Sequence, residues 1–359
     1  MRILQISSAR HFGGGERHFV DLTNGLIERG HEITVAVAPR SPILPELRSG
    51  VGQNIFELSS SNAANIGKAF ALRGFVRERE IEIVHAHMAR DYPMAALAVG
   101  TGARARFVIT RHVLFPMSSL HRITRRRVAR VIAVSQSVAA NLASQGIFHK
   151  DQIVVLPNGI DLTRFHPRIG GQASRGFRVG ILGELTANKG QIEFIRAAQI
   201  VASEIKDAEF VIAGRDNSAG GEYGRQVQQL IEATGLQKRI QVIESRIDVA
   251  EFLASLDLLV SASRSEAFGL AIVEAMAVGL PVVATATDGA REIIADNETG
   301  RLVEIGDIND LAQAISQLLN DPDQRRRISE NALQMVAERF SVERMLSDTE
   351  AVYREVLSG

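Results

Sequence analysis

Along the chain, short apolar and β-branched runs alternate with helix-length amphipathic segments almost from end to end. A short apolar run bounded by turn residues reads as a buried strand, and its alternation with helical pattern reads as βαβ units around a parallel sheet. In the first half these runs predict strands at 2–7, 32–38, 82–85, 107–110, 131–134 and 152–156; in the second half they predict 177–182, 209–213, 240–243, 257–260, 281–284 and 300–303. The two series are separated by PNGIDLTRFHPRIGGQASRG, residues 157–176, which is rich in Gly, Pro and polar residues and has neither period. The expected fold is therefore α/β, with two Rossmann-like doubly wound parallel sheets, an N-terminal domain over 1–165 and a C-terminal domain over 166–340. Helices predicted at 308–319, 322–338 and 342–357 close the chain, and the last has apolar residues at Val342, Met345, Leu346, Val352, Tyr353, Val356 and Leu357. Such a stripe needs a surface, either on its own domain or back across the linker on the first.

Composition narrows the function classes. A chain of 359 residues with 45% hydrophobic content has ample core for two domains and is not disordered. Lys plus Arg and Asp plus Glu are both 41, so the balance gives no reason to expect nucleic acid as a partner. The zero conceals a division: through Phe165 there are 21 basic and 12 acidic residues, a net of +9, leaving −9 for the rest. With no cysteine there is no disulfide, thiolate catalysis or Cys-ligated metal, which fits a reducing compartment. The opening MRILQISSAR runs straight into a strand without a signal-peptide pattern, and the longest apolar segment, 270–286, is broken by Glu274, Gly279 and Pro281. A cytoplasmic protein is expected, one that could sit peripherally on the inner face of the plasma membrane.

In open α/β sheets, ligands bind beyond the carboxyl ends of the strands, so the chemistry should lie in the loops that follow them. The first such loop ends in Gly13, Gly14 and Gly15 before a helix. Consecutive glycines let backbone approach an anion and the helix N-terminus offers free N–H groups, although a plain tight turn also explains them. In GELTANKG, Lys189 stands where a strand passes into a helix and could hold a phosphate, or be an ordinary surface lysine. The segment SASRSEAFGLAIVEAMAVGLP is the most informative. Its Glu274 has Leu270, Ala271, Ala277 and Val278 at helical offsets, all apolar, and a buried carboxylate without a partner costs several kcal/mol. A specific partner is therefore expected, either a vicinal diol such as the ribose 2′- and 3′-hydroxyls or a structural arginine. Histidines follow two first-half strands in HAHMARDYP and TRHVLFP. Of these, His112 is the candidate for a reacting group, His87 an acceptor-side candidate and His85 a packing residue. An HxH pair without a third nearby ligand is a poor metal site, so no metal is expected.

Taken together, GGGERHFVDLTNGLIERGHEITVAV, VIAVSQSVAANL, LPNGIDLTRFHP, GELTANKG, LASLDLLVSASRSEAFGLAIVEAMAVGLPVVAT and ETGRLV resemble a GT-B glycosyltransferase of glycosyltransferase family 4. The resemblance covers nearly the whole chain, and the spacing of Glu266 and Glu274 with FGL between is its most specific mark. It implies two domains facing each other across a cleft, with the C-terminal helix, 341–359, crossing back to the N-terminal domain. It implies a nucleotide diphosphate sugar donor, UDP- or GDP-linked, held mostly by the C-terminal domain and transferred with retention to an acceptor on the N-terminal one. Glu274 would take the ribose hydroxyls and Glu266 those of the donor sugar. Lys189, the backbone at Gly269 and Leu270 and the Gly14 loop would hold the diphosphate, with Phe268 beside them and His112 near the anomeric centre. No cofactor is implied. The chain departs from the family where Glu184 replaces an arginine; like charges about 4 Å apart at an effective dielectric near 20 repel by roughly 4 kcal/mol. The expectation is that Glu184 turns away and Arg264 replaces the arginine, with Arg215 and Arg10 as alternatives. Arg215 and Arg246 stand in loops near the base and leave its identity open.

Between Asp91 and Asp151 there are 59 positions without an acidic residue, and Arg104, Arg106, Arg111, Arg122, Arg125, Arg126, Arg127, Arg130 and Lys150 fall among them. These are either solvated arginines or the seat of an anionic partner, and Arg111, Arg125 and Arg126 are acceptor-side candidates. The partner would be a glycan or lipid-linked acceptor, with an anionic membrane surface worth up to about 1 kcal/mol per basic residue. Envelope or exopolysaccharide biosynthesis is the expected context. Three other readings are open: a nucleotide-sugar epimerase of the same architecture, a donor-binding subunit without activity, and a dehydrogenase, the last weakened by the lack of a GxGxxG fingerprint.

Overall fold

A computed structural model describes residues 1–48, 55–58, 66–100, 104–118, 121–167, 176–244 and 247–359. The chain forms two compact units, one of Met1–Gly159 with Val342–Gly359 and the other of Ile160–Ser341.

The first unit contains β1 (Arg2–Ser7), β2 (Glu32–Val37), β3 (Ile55–Glu57), β4 (Ile83–Ala86), β5 (Arg106–Arg111), β6 (Val128–Ala133) and β7 (Ile153–Val155). All pair in parallel, in the order β3-β2-β1-β4-β5-β6-β7. Its helices are α1 (Gly14–Glu28), α2 (Ile66–Glu78), α3 (Tyr92–Val99), α4 (His121–Thr124) and α5 (Gln136–Gln145). The second unit has β8 (Phe177–Leu182), β9 (Ala208–Ala213), β10 (Ile240–Ile243), β11 (Leu258–Ser261), β12 (Val282–Thr285) and β13 (Arg301–Val303), parallel in the order β10-β9-β8-β11-β12-β13. Its helices are α6 (Gln191–Glu204), α7 (Glu222–Thr234), α8 (Val249–Ala254), α9 (Leu270–Ala277), α10 (Asp288–Ile293), α11 (Ile308–Asn320) and α12 (Pro322–Arg339), and α13 (Val342–Ser358) rejoins the first unit. Strand order reverses between β1 and β4 and again between β8 and β11, and these reversals are where an open α/β sheet opens a ligand crevice.

The central strands are buried on both faces, as Ile3, Leu4 and Ile6 of β1 and Leu258, Leu259 and Val260 of β11 show, which is why they read as continuous apolar runs. The sequence pattern misses β3, a three-residue edge strand with two exposed positions and no alternation to detect. Helix α13 buries Met345, Leu346, Val352 and Val356, each worth about 1.5–3 kcal/mol when fully removed from water. The close approach of α13 to α1 depends on Gly25, where a Cβ would stand 2.4 Å from Leu346 Cδ1. Glu350 on the same face is paired: His31 Nε2 lies 2.6 Å and Arg29 Nη1 3.2 Å from its carboxylate. No helix among the described residues is long and apolar enough to cross a membrane.

Candidate functional site

In the second unit, the loops after β8 and β11 are pinned together. Gly190 has φ +74°, and a Cβ there would lie 2.0 Å from the Ala262 carbonyl oxygen, so backbone packs on backbone. The Arg264 amide donates to the Asn188 carbonyl at 2.8 Å, and Asn188 Nδ2 donates to the Ser265 carbonyl at 2.9 Å. This brace brings Lys189 and Glu266 together: the ammonium donates to both carboxylate oxygens, one of them at 3.0 Å. Beyond Glu266, Gly269 adopts φ +107° and caps α9, whose first turn carries no acidic side chain to offset the helix dipole. The Gly289 amide donates to the Glu266 carbonyl at 3.1 Å and a Cβ at Gly289 would be 2.6 Å from the Phe268 carbonyl, which clamps the loop from the α10 side. Phe268 is buried edge-to-face against Phe340 at 5.6 Å between ring centroids, so its side chain is packing and only its backbone borders the loop. Leu270 opens α9, and Glu274 within it is 7% exposed.

The residues near the family's missing arginine are also placed. Glu184 is exposed and its Oε1 accepts from Asn217 Nδ2 at 2.9 Å, so the carboxylate is held toward the loop after β9. The Arg264 guanidinium, 63% exposed, donates to Glu193 at 2.6 Å. Arg215 is exposed and contributes its carbonyl to the Leu185 amide at 2.8 Å. Arg246 lies outside the described residues.

In the first unit, Gly13 is extended and α1 begins at Gly14. Glu16 accepts from the Gly13 amide at 3.0 Å, so the N-terminus offered to a diphosphate already holds one carboxylate oxygen. Burial pushes the Glu16 pKa up, with the Glu16 and Gly13 amides pulling it back. Gly15 lies over His112; a Cβ there would be 3.5 Å from the imidazole Cγ. His112 in turn belongs to a cluster. His18 of α1 is 4.8 Å from it between ring centroids, and His87 is stacked at 5.8 Å. Burial lowers the pKa of all three, His18 to about 4 and the other two well below the usual range; for His87 and His112 neighbouring histidines add to it, as does Arg111 for His112. All three are thus neutral.

Among the described residues, His18, His87 and His112 bring three ring nitrogens within 4.8 Å of one another, a group that includes only one member, His87, of the His85–His87 pair. Nitrogens on a tetrahedral zinc with bonds of about 2.0–2.1 Å stand roughly 3.3 Å apart, so the rings would have to close in to hold an ion.

Two acceptor-side candidates turn inward. His87 is 6% exposed within the cluster, and Arg111 is 6% exposed, its guanidinium donating to the Phe115 carbonyl. Arg125 is half-buried and Arg126 exposed, in the 3₁₀ turn Arg125–Arg127. His85 is fully buried between Tyr353 and Thr110. Sequence reasoning missed His18, whose signal was its spacing of three from Gly15 on the inward face of α1, and it missed Gln5 and Tyr353.

Comparison with known proteins follows this geometry. The family model described as Glycosyltransferase Family 4 matches residues 12–164, and that described as Glycosyl transferases group 1 matches 164–335. The chain is 26% identical over 377 residues to N-acetyl-alpha-D-glucosaminyl L-malate synthase of Bacillus anthracis, covering 96% of this chain and 94% of that protein. It is 28% identical over 332 residues to the GPI3 subunit of phosphatidylinositol N-acetylglucosaminyltransferase of Saccharomyces cerevisiae (strain RM11-1a), covering 86% of this chain and 72% of that one. A crystal structure of a glycosyltransferase from Rickettsia africae ESF-5 superposes with a TM-score of 0.88 at 25% identity, covering 99% of this chain and 98% of its own.

Proposed function

Because the chain belongs to glycosyltransferase family 4, with that family's GT-B fold, and is a glycosyltransferase, we propose that it moves a sugar, with retention, from a nucleotide diphosphate sugar to a hydroxyl of a glycan, lipid-linked or lipid acceptor. The observation that carries this reading is the braced pair of loops in the second unit, which sets Lys189, Glu266, the bare N-terminus of α9 and the buried Glu274 around one sheet reversal. Glu274 takes the ribose diol, Glu266 the sugar hydroxyls, and Lys189 with the amides at Gly269 and Leu270 the diphosphate. As the bond from C1 to the phosphate oxygen breaks, charge grows on that oxygen, where preorganised donors stabilise it most. The acceptor oxygen bonds C1 on the same face, and its proton passes to the departing phosphate. Since a lysine and helix amides supply the positive charge, the reaction needs no metal.

The test is calorimetry of donor binding to Glu274→Ala, after a thermal-shift screen of UDP- and GDP-sugars, since a ligand bound to the native state raises apparent stability. The names of two relatives put N-acetylglucosamine donors first in that screen. Loss of donor affinity with the fold retained is expected; unchanged affinity would sink the reading.

We place the acceptor side at an anionic surface, with the protein in the cytoplasm and peripheral on the inner leaflet. Supporting this, Phe115 is 76% exposed, and Ile123, 78% exposed, directly follows the exposed Arg122 in a short segment that also carries the exposed Arg126, which joins an apolar anchor to positive charge. Vesicle co-sedimentation should rise with anionic lipid and fall with salt, and indifference to both counts against it.

A further inference from the structure

Tyr353 of α13 is fully buried, and its hydroxyl lies between two polar groups of the sheet. Gln5 Nε2, from β1, donates to Tyr353 Oη at 3.2 Å, and His85 Nδ1, from β4, is 2.6 Å from the same oxygen. A phenol has one proton to give. With Gln5 donating to its oxygen, that proton goes to His85 Nδ1, so His85 is protonated on Nε2 and donates to Thr110 Oγ1 at 2.7 Å. The Gln5 carbonyl oxygen then faces the other way and accepts from His87 Nε2 at 2.8 Å. His87 is left with a lone pair on Nδ1, and His112 Nε2 lies 3.5 Å from it. The chain ends at His112 with the proton on Nε2 and a lone pair on Nδ1, a buried atom with no hydrogen-bond partner among the described residues.

Burial keeps His85, His87 and His112 uncharged, so each carries a single proton. The linked bonds then have only two self-consistent settings, related by reversing the Gln5 amide and every donor with it. The reversed setting would leave His112 with a buried N–H lacking an acceptor, a rarer and costlier orphan than an unused lone pair. Facing His112 are the ring of His18 and the backbone of Gly15 from α1, with Arg111 beside it on β5.

We propose that Tyr353 is a positioning residue for the transfer reaction: from the C-terminal helix, acting through Gln5 and His87, it fixes His112 with its proton on Nε2 and Nδ1 as the free acceptor. This rests on the reading of His112 as lying beside the reacting sugar. Tyr353 touches no substrate; its part is to set the face that His112 shows.

The experiment uses the full chain labelled with ¹⁵N at histidine. Long-range ¹H–¹⁵N spectra report which ring nitrogen of His112 bears the proton, with no substrate present. The variants are Tyr353→Phe, which removes one oxygen and keeps the packed ring, and Gln5→Leu; Tyr92→Phe, which removes a buried phenol outside the linked bonds, is the control. The wild-type protein and Tyr92→Phe should show His112 protonated on Nε2 alone. Both other variants should show mixed tautomers, with kcat lower by up to about a hundredfold, the size of loss a misplaced group brings, and donor affinity unchanged. Wild-type His112 protonated on Nδ1, or an unaltered single tautomer in both Tyr353→Phe and Gln5→Leu, overturns the proposal. A wild-type protein that transfers no sugar would defeat the functional reading instead, while the spectra still decide the chain of bonds.

Discussion

A Cβ on residue 190 would stand 2.0 Å from the Ala262 carbonyl oxygen, and the backbone there has φ +74°, so two independent constraints require glycine. Gly190→Ala should therefore destabilise the second unit by on the order of 2 kcal/mol, read as a lower denaturant midpoint, and should loosen the Lys189–Glu266 pair that the brace creates. Glu184→Gln tests the chain's departure from its family. With the carboxylate held on Asn217 and open to solvent, removing its charge should tighten donor binding only a few-fold. A gain much beyond tenfold in calorimetry would mean that Glu184 faces the diphosphate. Lys189 and Glu274 stood out in the sequence because each breaks a local rule, a charge at a strand end or within an apolar helix face, and Glu266 through its spacing to Glu274 in the family resemblance. Gln5, His18 and Tyr353 were not, since a polar side chain buried by partners far away in sequence looks like any other residue in its own segment.

The partners of α13 illustrate what one element contributes. Its apolar stripe was readable, but the sequence left open which unit received it, because that choice is made by Gly25 on α1 and by Arg29 and His31, more than 300 positions away. Glu350 ties these together: burial raises its pKa, but the His31 hydrogen bond and the Arg29 charge outweigh that and hold it below the usual value of 4.5. A depressed carboxylate pKa stabilises the fold at pH values above the unfolded pKa, and the contribution is lost as pH falls through the lower folded one. Glu350→Gln should accordingly lower the thermal midpoint at pH 7, and the deficit should shrink as pH falls below 4.5. Truncation after Ser341 would bare Met345, Leu346, Val352 and Val356 contacts on the first unit, and should yield protein that aggregates or exposes apolar surface to a reporter dye. Strand β3 escaped prediction for the opposite reason to α13, being too short to carry any period at all.

For the whole molecule, the distribution of histidine gives the two units unlike responses to acid. Of 9 histidines, His166 is the lone one in Ile160–Ser341. His18, with its pKa pushed from 6.5 to about 4, stays neutral in the folded state while the unfolded chain takes up a proton. Its contribution is complete above pH 6.5 and is lost as pH falls toward 4, on the order of 3 kcal/mol for this group alone at 1.36 kcal/mol per pH unit. His85, His87 and His112 act in the same direction. Amide exchange at pH 7.5 and pH 5 should show β1, β4 and β5 losing protection while β8 and β11 keep theirs; equal loss in both units would contradict this. The doubly wound architecture itself was plain from the alternation of runs, since it depends on local period rather than on distant contacts. One further property follows from how the chain enters and leaves the second unit. Ile160 and Ser341 form a parallel bridge and the Ile160 amide donates to the Phe340 carbonyl at 2.7 Å, so that unit begins and ends at a single closed seam. A module sealed in this way can be cut out or exchanged by recombination at two neighbouring points, which would let the first unit be joined to a new second unit without redesign of either core.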